Sequence, residues 1–461
     1  MRSATLLALL AACQAYEARP LDVAAHREAW HARTLDDPAL TEFLDAWPEA
    51  TEPDGQPTPF DPTDGLTLAE ARLVALIYNP DLRLARLRVG RAAVDAELAG
   101  IWGDPQLSFD LLRVRQDVPD RWVATPSLAV PLPLSGRLDA ERDLADAELR
   151  TAELAAREAE WQLAWDLESA WVAWAALRLR ATETERWLEA LDGFVDVSAR
   201  LAEAGEIPRT EATLFRVEQL ASRNRLRRLH GDAAAAEQVV RALVGLAPEA
   251  PVTFLPGLPS DDESTTDAGA AARRPGDHPS LARLAAAHDA AEQTLRREIA
   301  EQFPDLWLGP RYESDAGQNR FGLTGWMNLP LWNANQGPIA RAEVDRELAR
   351  AAFEVAYERL VGRWAVALAS AQGLADQRAE LEATLLPLVE RQLEDAFELL
   401  RLGEGSSLLL LESLNRAFQA RLDQIDLRVA ESLARSEVRF LLGPDTHPGS
   451  TEPADTEDRV P

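Results

Sequence analysis

The sequence predicts a mainly α-helical chain with a small β part, in which long coiled-coil helices are continued by barrel-type strands and the whole is built as two internal repeats. Three observations carry this. Matching landmarks recur at an offset of 197 to 201 residues, from Asn79-Pro80 and His278-Pro279 through to Gly245 and Gly443. Two glycine-bounded stretches, 69 residues from Gly136 to Gly205 and 66 from Gly337 to Gly403, carry only isolated Gly and Pro breaks. Between these landmarks each repeat holds two short runs with β-type alternation.

At the N-terminus, Met1, Arg2 and the apolar residues 6–12 read as a short export signal over residues 1–12. Leu10-Ala11-Ala12-Cys13 resembles a bacterial lipobox, which implies cleavage before Cys13 and a covalent lipid on its thiol; the other reading is a buried cysteine in an ordinary helix. Cys13 is the only cysteine, so it has no partner for an intramolecular disulfide. Gln14 stands where an inner-membrane retention signal would tend to carry Asp, and the resemblance therefore implies the outer membrane. Residues 14–64 form a Pro- and Asp-rich extension expected to run beside the helices.

The first repeat spans residues 65–246 and the second 277–443. Residues 67 to about 101 predict one Ala-, Leu-, Arg- and Glu-rich helix stopped by Gly103 and Pro105. Strands follow at 105–114 and 121–134, and in the second repeat at 305–314 and 320–332. In the last of these, Phe321, Leu323, Gly325, Met327 and Leu329 share one face, the alternation and length of a membrane-barrel strand. Each long helix then spans about 100 Å at about 1.5 Å per residue. Leu167, Trp171, Trp174 and Leu177, then Leu188, Leu191, Val195 and Leu201, mark its packing seam. Gly205 and Gly403 turn the chain, and helices of about 38 residues return to Gly245 and Gly443. Residues 247–276 read as a flexible join and 444–461 as a disordered acidic tail.

The net charge of −29 argues against a nucleic-acid partner, whose phosphates need a basic surface. All 48 basic residues are Arg, which reads as codon bias. No apolar run after residue 13 is long enough for a membrane-spanning helix, so any crossing of a bilayer must use strands. Four strands cannot close a barrel or hide their edges from lipid, whereas three copies supply twelve. The same three copies would gather their long helices into a tunnel continuing that barrel.

Several motifs resemble the TolC-type outer-membrane efflux proteins, trimeric channel-tunnels. They are LTLAEARLVALIYNPDLRLARLRV (66–89), HPSLARL (278–284), the junctions PLPLSGR and PLWNANQGPIARAEV, and the tips AEAGEIPRTEATL and LRLGEGSSLLLLES. The likeness runs over about residues 65–443, and Asn-x-Asn-Gln-Gly at 333–337 is most similar to members serving heavy-metal or related cation pumps. It implies a passive duct, not an enzyme, working as a homotrimer with a periplasmic adaptor protein and an inner-membrane efflux pump, set in outer-membrane lipid and exporting drugs or metal cations. It further implies adaptor contact at the tips, around Gly205, Glu206, Gly403, Glu404, Gly405 and Ser406, and an acidic entrance at Glu211 and Glu412. Glu211 has Leu409 as its counterpart in the second repeat, a departure from the family pattern. The plainer reading of both carboxylates is solvated helix surface.

No nucleophile–base set, phosphate loop or metal-spaced His and Cys cluster is present, so no cofactor and no metal site are expected beyond the lipid on Cys13. Trp102, Trp122, Trp307, Trp326 and Trp332 gather around the strands, as interface belts or as hydrophobic filling. The competing architecture is a periplasmic coiled-coil lipoprotein, a scaffold or adaptor whose hairpins are soluble.

Overall fold

The computed structural model describes residues 16–46, 50–51, 57–58, 65–113, 115, 122–259, 274–315, 318–402 and 404–444. Cys13, the export signal, Gly403 and the tail beyond residue 444 lie outside the described residues.

The extension carries α1 (Val23–His31), α2 (Pro38–Ala46) and a two-residue ladder between 50–51 and 57–58. In the first repeat, α3 (Leu68–Tyr78) starts at a capping box in which the Thr67 hydroxyl and the Glu70 carboxylate serve each other's backbone amides. The helix expected over 67–101 is in fact two, α3 and α4 (Pro80–Leu98). Pro80 holds Asn79 in extended backbone, and the Asn79 side chain accepts hydrogen bonds from the amides of Asp81 and Leu82 to start α4.

Strands β1 (Gln106–Arg113) and β2 (Trp122–Leu132) lead to α5 (Arg137–Ala204), 68 residues without a break and about 100 Å long. The return is α6 (Arg209–Val244). The second repeat answers with α7 (Pro279–Ala300), β3 (Leu306–Asp315), β4 (Gln318–Trp326), α8 (Gln336–Glu380), α9 (Leu386–Arg401) and α10 (Ser407–Leu442). Its last strand stops at Trp326 rather than running to residue 332, and Trp332 is 93% exposed.

A π turn over Leu381–Leu385 joins α8 to α9, where one uninterrupted helix was expected. Pro387 has no N–H to offer the carbonyl one turn back, and the chain widens just before it; Glu189 stands at the matching place in α5 and the helix runs straight through.

The outgoing and returning helices of each repeat meet end to end along the long helix. Asn79 donates from Nδ2 to the Leu243 carbonyl at 2.8 Å, and Gly245, at φ 88°, lies so close that a Cβ there would come within 2.2 Å of the Tyr78 carbonyl oxygen. Gly443, at φ 85°, makes the same approach to Asp277. The core sits at these joints: Leu167, Trp171, Trp174, Val240, Val244 and Phe254 in the first repeat, Leu281, Leu360, Trp364 and Leu441 in the second.

The extension is fastened to the first joint. Arg33 donates to the carbonyls of Tyr78 and Gly245 at 3.1 and 2.7 Å, Trp30 also reaches the Gly245 carbonyl, and Leu40 is fully buried. The start of the stretch expected as a flexible join is packed as well, because Arg241 holds the carbonyls of Ala250 and Val252 and stacks over Phe254. Residues 260–273 of that stretch lie outside the described residues.

Candidate functional site: an amphipathic sheet and two paired hairpin tips

The four strands form one antiparallel sheet in the order β1-β2-β3-β4. Its registers place Leu107, Phe109 and Leu111 opposite Leu128, Pro126 and Ala124, and Leu308, Pro310 and Tyr312 opposite Gly325, Leu323 and Phe321. Because β2 pairs Val130 with Leu308 and Leu132 with Leu306, all of these side chains share one face. That face is apolar from edge to edge.

The other face carries Ser108, Asp110, Thr125, Ser127, Arg311, Glu313, Arg320 and Thr324. There the hydroxyls of Ser108 and Ser127 lie 2.6 Å apart, and Glu313 accepts from Arg311 at 2.9 Å and Arg320 at 3.0 Å. Among the described residues, the outer edges of β1 and β4 pair with no strand. Trp307 and Trp326 stack at 5.5 Å where the sheet meets the helices, while Trp102, Trp332, Leu134, Leu331 and Phe303 stand exposed around that junction.

The turn from β4 into α8 is set by Asn335, in left-handed backbone at φ 54°, whose amide donates to the carbonyl and carboxylate of Glu298. Burial acts to raise the Glu298 pKa, but hydrogen bonds from Arg297 and Asn335 outweigh it, and the carboxyl sits below its ordinary value.

At the far end of α5, Gly205 adopts φ 79°, and the amides of Gly205 and Glu206 bond back to the carbonyls of Ala202 and Leu201. Pro208 is extended and α6 begins at Arg209, which puts Glu211 in its first turn, where the helix dipole favours a negative charge. At the second tip the amides of Glu404 and Gly405 bond to the Leu399 carbonyl, and Ser406 caps α10 through the Leu408 amide. Gly405 is required there, since a Cβ would lie 2.6 Å from the Leu400 nitrogen.

The tips are tied together by Ser407, whose hydroxyl donates to the Glu211 carboxylate across the two repeats. Glu412 lies exposed one turn further along α10 and is bonded to Arg416 at 2.8 Å. Leu409, the counterpart of Glu211, is also exposed. Gly205, Glu206, Glu404 and Ser406 are exposed and Gly405 half-buried. Beneath the tips, Phe194 contacts Phe215 and Phe397, and Trp187 stacks on Phe418 at 5.0 Å.

Buried carboxylates between the helices are a feature that the sequence reading missed. Glu168 is held by Arg72, Arg439 and Ser436, and Glu431 by Arg378 and Arg435. Glu382, within the π turn, accepts from Gln424 and Arg428, which keeps its carboxyl below the ordinary value. Glu168 and Glu431 are charges removed from water and Glu382 is partly exposed; all three are neutralised by arginine, so these clusters hold helices in register. No group of three His, Cys, Asp or Glu able to hold a metal occurs among the described residues.

Residues 74–246, the first repeat, match the family model described as outer membrane efflux protein. No curated protein matches the chain. Similar solved structures include CusC, 19% identical over 82% of this chain and 92% of that one, with a TM-score of 0.67. The outer membrane protein VceC of Vibrio cholerae is 18% identical over 82% and 96% of the two chains, TM-score 0.69. The CmeC outer membrane channel of Campylobacter jejuni is 14% identical over 82% and 86%, TM-score 0.68. At these identities the likeness is one of fold, and it is the fold class expected from the repeats and the strands.

Proposed function

From a TolC-type channel-tunnel fold whose first repeat matches the outer membrane efflux protein family, we propose that three copies of this chain form a passive outer-membrane duct of an efflux system. The observation that carries this is the sheet, apolar on one face, polar on the other and open at both edges. One such sheet exposes unpaired backbone that lipid cannot satisfy, and pairing β4 of one copy with β1 of the next, three times over, removes every edge. The apolar faces then meet lipid and the polar faces line a lumen of twelve strands.

The helical part supports the same closure. In the half nearest the sheet, α5 and α7 lie between α4 and α8, and both outer helices carry exposed apolar stripes: Leu84, Leu87, Val94 and Leu98 on α4, Val344, Leu348 and Val355 on α8. Such stripes at opposite edges fit a ring of identical subunits. Around the strand-to-helix junction, exposed Trp102, Trp326 and Trp332 suit the headgroup level of a bilayer.

The tips lie farthest from the sheet, and there the duct meets a periplasmic adaptor and, through it, an inner-membrane pump. A lipid on Cys13 anchors each N-terminus to the same membrane. Glu211 gives the entrance a preference for cations, which favours metal or other cationic cargo over anionic cargo. The test is native mass spectrometry of the detergent-extracted protein followed by conductance in planar bilayers. Trimers that conduct support the reading; a monomer that needs no detergent and forms no channel overturns it.

A further inference from the structure

We propose that a basic stretch on α6 docks onto an acidic edge of α8, at the π turn, in the neighbouring copy of this chain, fixing the axial register of the subunits. This rests on the trimer reading above and adds to it a specific electrostatic key. Between Glu218 and Asp232, α6 has no carboxylate but carries Arg223, Arg225, Arg227, Arg228 and His230, in a chain of net charge −29. Two of these arginines serve within the chain, Arg223 bonding to Asp192 at 3.2 Å and Arg225 lying over the Phe418 ring at 5.4 Å. Arg227 and Arg228 are exposed and make no ion pair among the described residues. They continue an exposed apolar stripe formed by Leu214, Val217 and Leu220 at three-residue steps.

The counterpart stretch on α10 shows that this is particular to one edge. Arg421, Asp426 and Arg428 there are all paired, with Glu183, Arg180 and Glu382.

In the half nearest the tips, α5 and α10 separate α6 from α9, so α6 and the α8–α9 rod stand at opposite sides of the protomer. That rod carries its own exposed stripe, Leu402, Leu399, Leu388 and Leu385. A π turn closes on i and i+5, so the stripe passes from Leu385 to Glu380 and then to Asp376, both exposed and without an ion pair among the described residues. Arg227 and Arg228 stand 22 and 23 residues from Gly205, while Glu380 and Asp376 stand 23 and 27 from Gly403. Measured from the helix ends at Arg209 and Arg401, the arginines lie about 27 to 29 Å and the carboxylates about 32 to 38 Å above the tips. When apolar stripes on opposite edges meet in a closed ring, the free arginines of one copy face the free carboxylates of the next. Opposite charges about one helical turn apart, within reach of long arginine side chains, reward one register and penalise a slip.

The experiment compares the full chain, extracted in detergent at low salt, as wild type, as Arg227→Glu/Arg228→Glu, as Asp376→Arg/Glu380→Arg, and as all four together. Trimer fraction is read by native mass spectrometry and helix content by circular dichroism. Expected is a loss of trimer in each double variant of at least about tenfold, with helix content unchanged, and recovery in the fourfold variant. Double variants that remain trimeric overturn the key while leaving the trimer, and assign the arginines to a different acidic partner. A fourfold variant that stays dissociated also overturns it. A wild type that is itself no trimer overturns the channel reading beneath it.

Discussion

In the first repeat, Asn79 closes the joint between outgoing and returning helices with hydrogen bonds to Asp81, Leu82 and Leu243, and Arg33 and Trp30 of the extension clasp the same place. At the matching joint of the second repeat, His278 supplies one ring nitrogen to Ser280, leaves Nε2 buried without a hydrogen-bond partner, and stands edge-on to Phe440. No segment of the extension reaches it among the described residues. The long helices differ in the same sense: α5 is continuous, whereas its partner is interrupted by a π turn ahead of Pro387. Duplication kept the path of the chain and let the fastenings diverge, leaving the first repeat the stiffer.

The largest test of that contrast is Gly245→Ala against Gly443→Ala. Both force a side chain into positive-φ backbone, left-handed at Gly245 with ψ 20° and outside that well at Gly443 with ψ 174°, and the added Cβ meets the Tyr78 carbonyl at 2.2 Å in the first and the Asp277 carbonyl at 2.8 Å in the second. Losses of about 3 and about 2 kcal/mol are expected in thermal unfolding. Equal losses would remove the contrast between the joints.

Next in size is Arg33→Ala, which strands the Tyr78 carbonyl and leaves the Gly245 carbonyl to Trp30 alone; about 2 kcal/mol is expected, with faster amide exchange confined to residues 240–246. The second repeat has no equivalent to lose. A smaller effect is expected of His278→Asn, which copies the first joint into the second. Burial lowers the His278 pKa, so the folded chain holds the ring neutral while the unfolded chain protonates near pH 6.5. Stability from this site is present above that pH and is lost as pH falls below it. The variant should flatten the pH dependence of unfolding between pH 7 and 5. Smallest is Glu211→Gln, expected to lower cation-over-anion permeability by about twofold in planar bilayers. Glu412→Gln should leave it unchanged, because Arg416 already balances that charge.

Much of this architecture was legible in the chain. Alternation in 320–326, glycines at 205 and 245, and the constant repeat offset each express a local steric rule, so they survive translation into structure. The break at Asn79-Pro80 was also written there, as an Asn cap followed by Pro at the first helical position, but the strong helix formers on both sides masked it. The π turn was not legible, because Leu381–Leu385 is ordinary helical sequence and only Pro387 hints at it. At the tips, Gly205 could be picked out from spacing, and Glu211 only through the resemblance to the channel-tunnel family. That Glu211 answers to Ser407, 196 residues away, could not, since nothing local specifies which distant hydroxyl a carboxylate will meet.

The clasp at Arg33 sets an order on the making of this molecule. Its acceptor, the Gly245 carbonyl, lies 212 residues downstream. Closing so long a loop carries a larger entropic cost than the shorter contacts of the same segment, Arg33 to the Tyr78 carbonyl and the Tyr78 hydroxyl to the Thr34 carbonyl. The extension therefore meets α3 first, and its bond to Gly245 marks the completion of the first repeat.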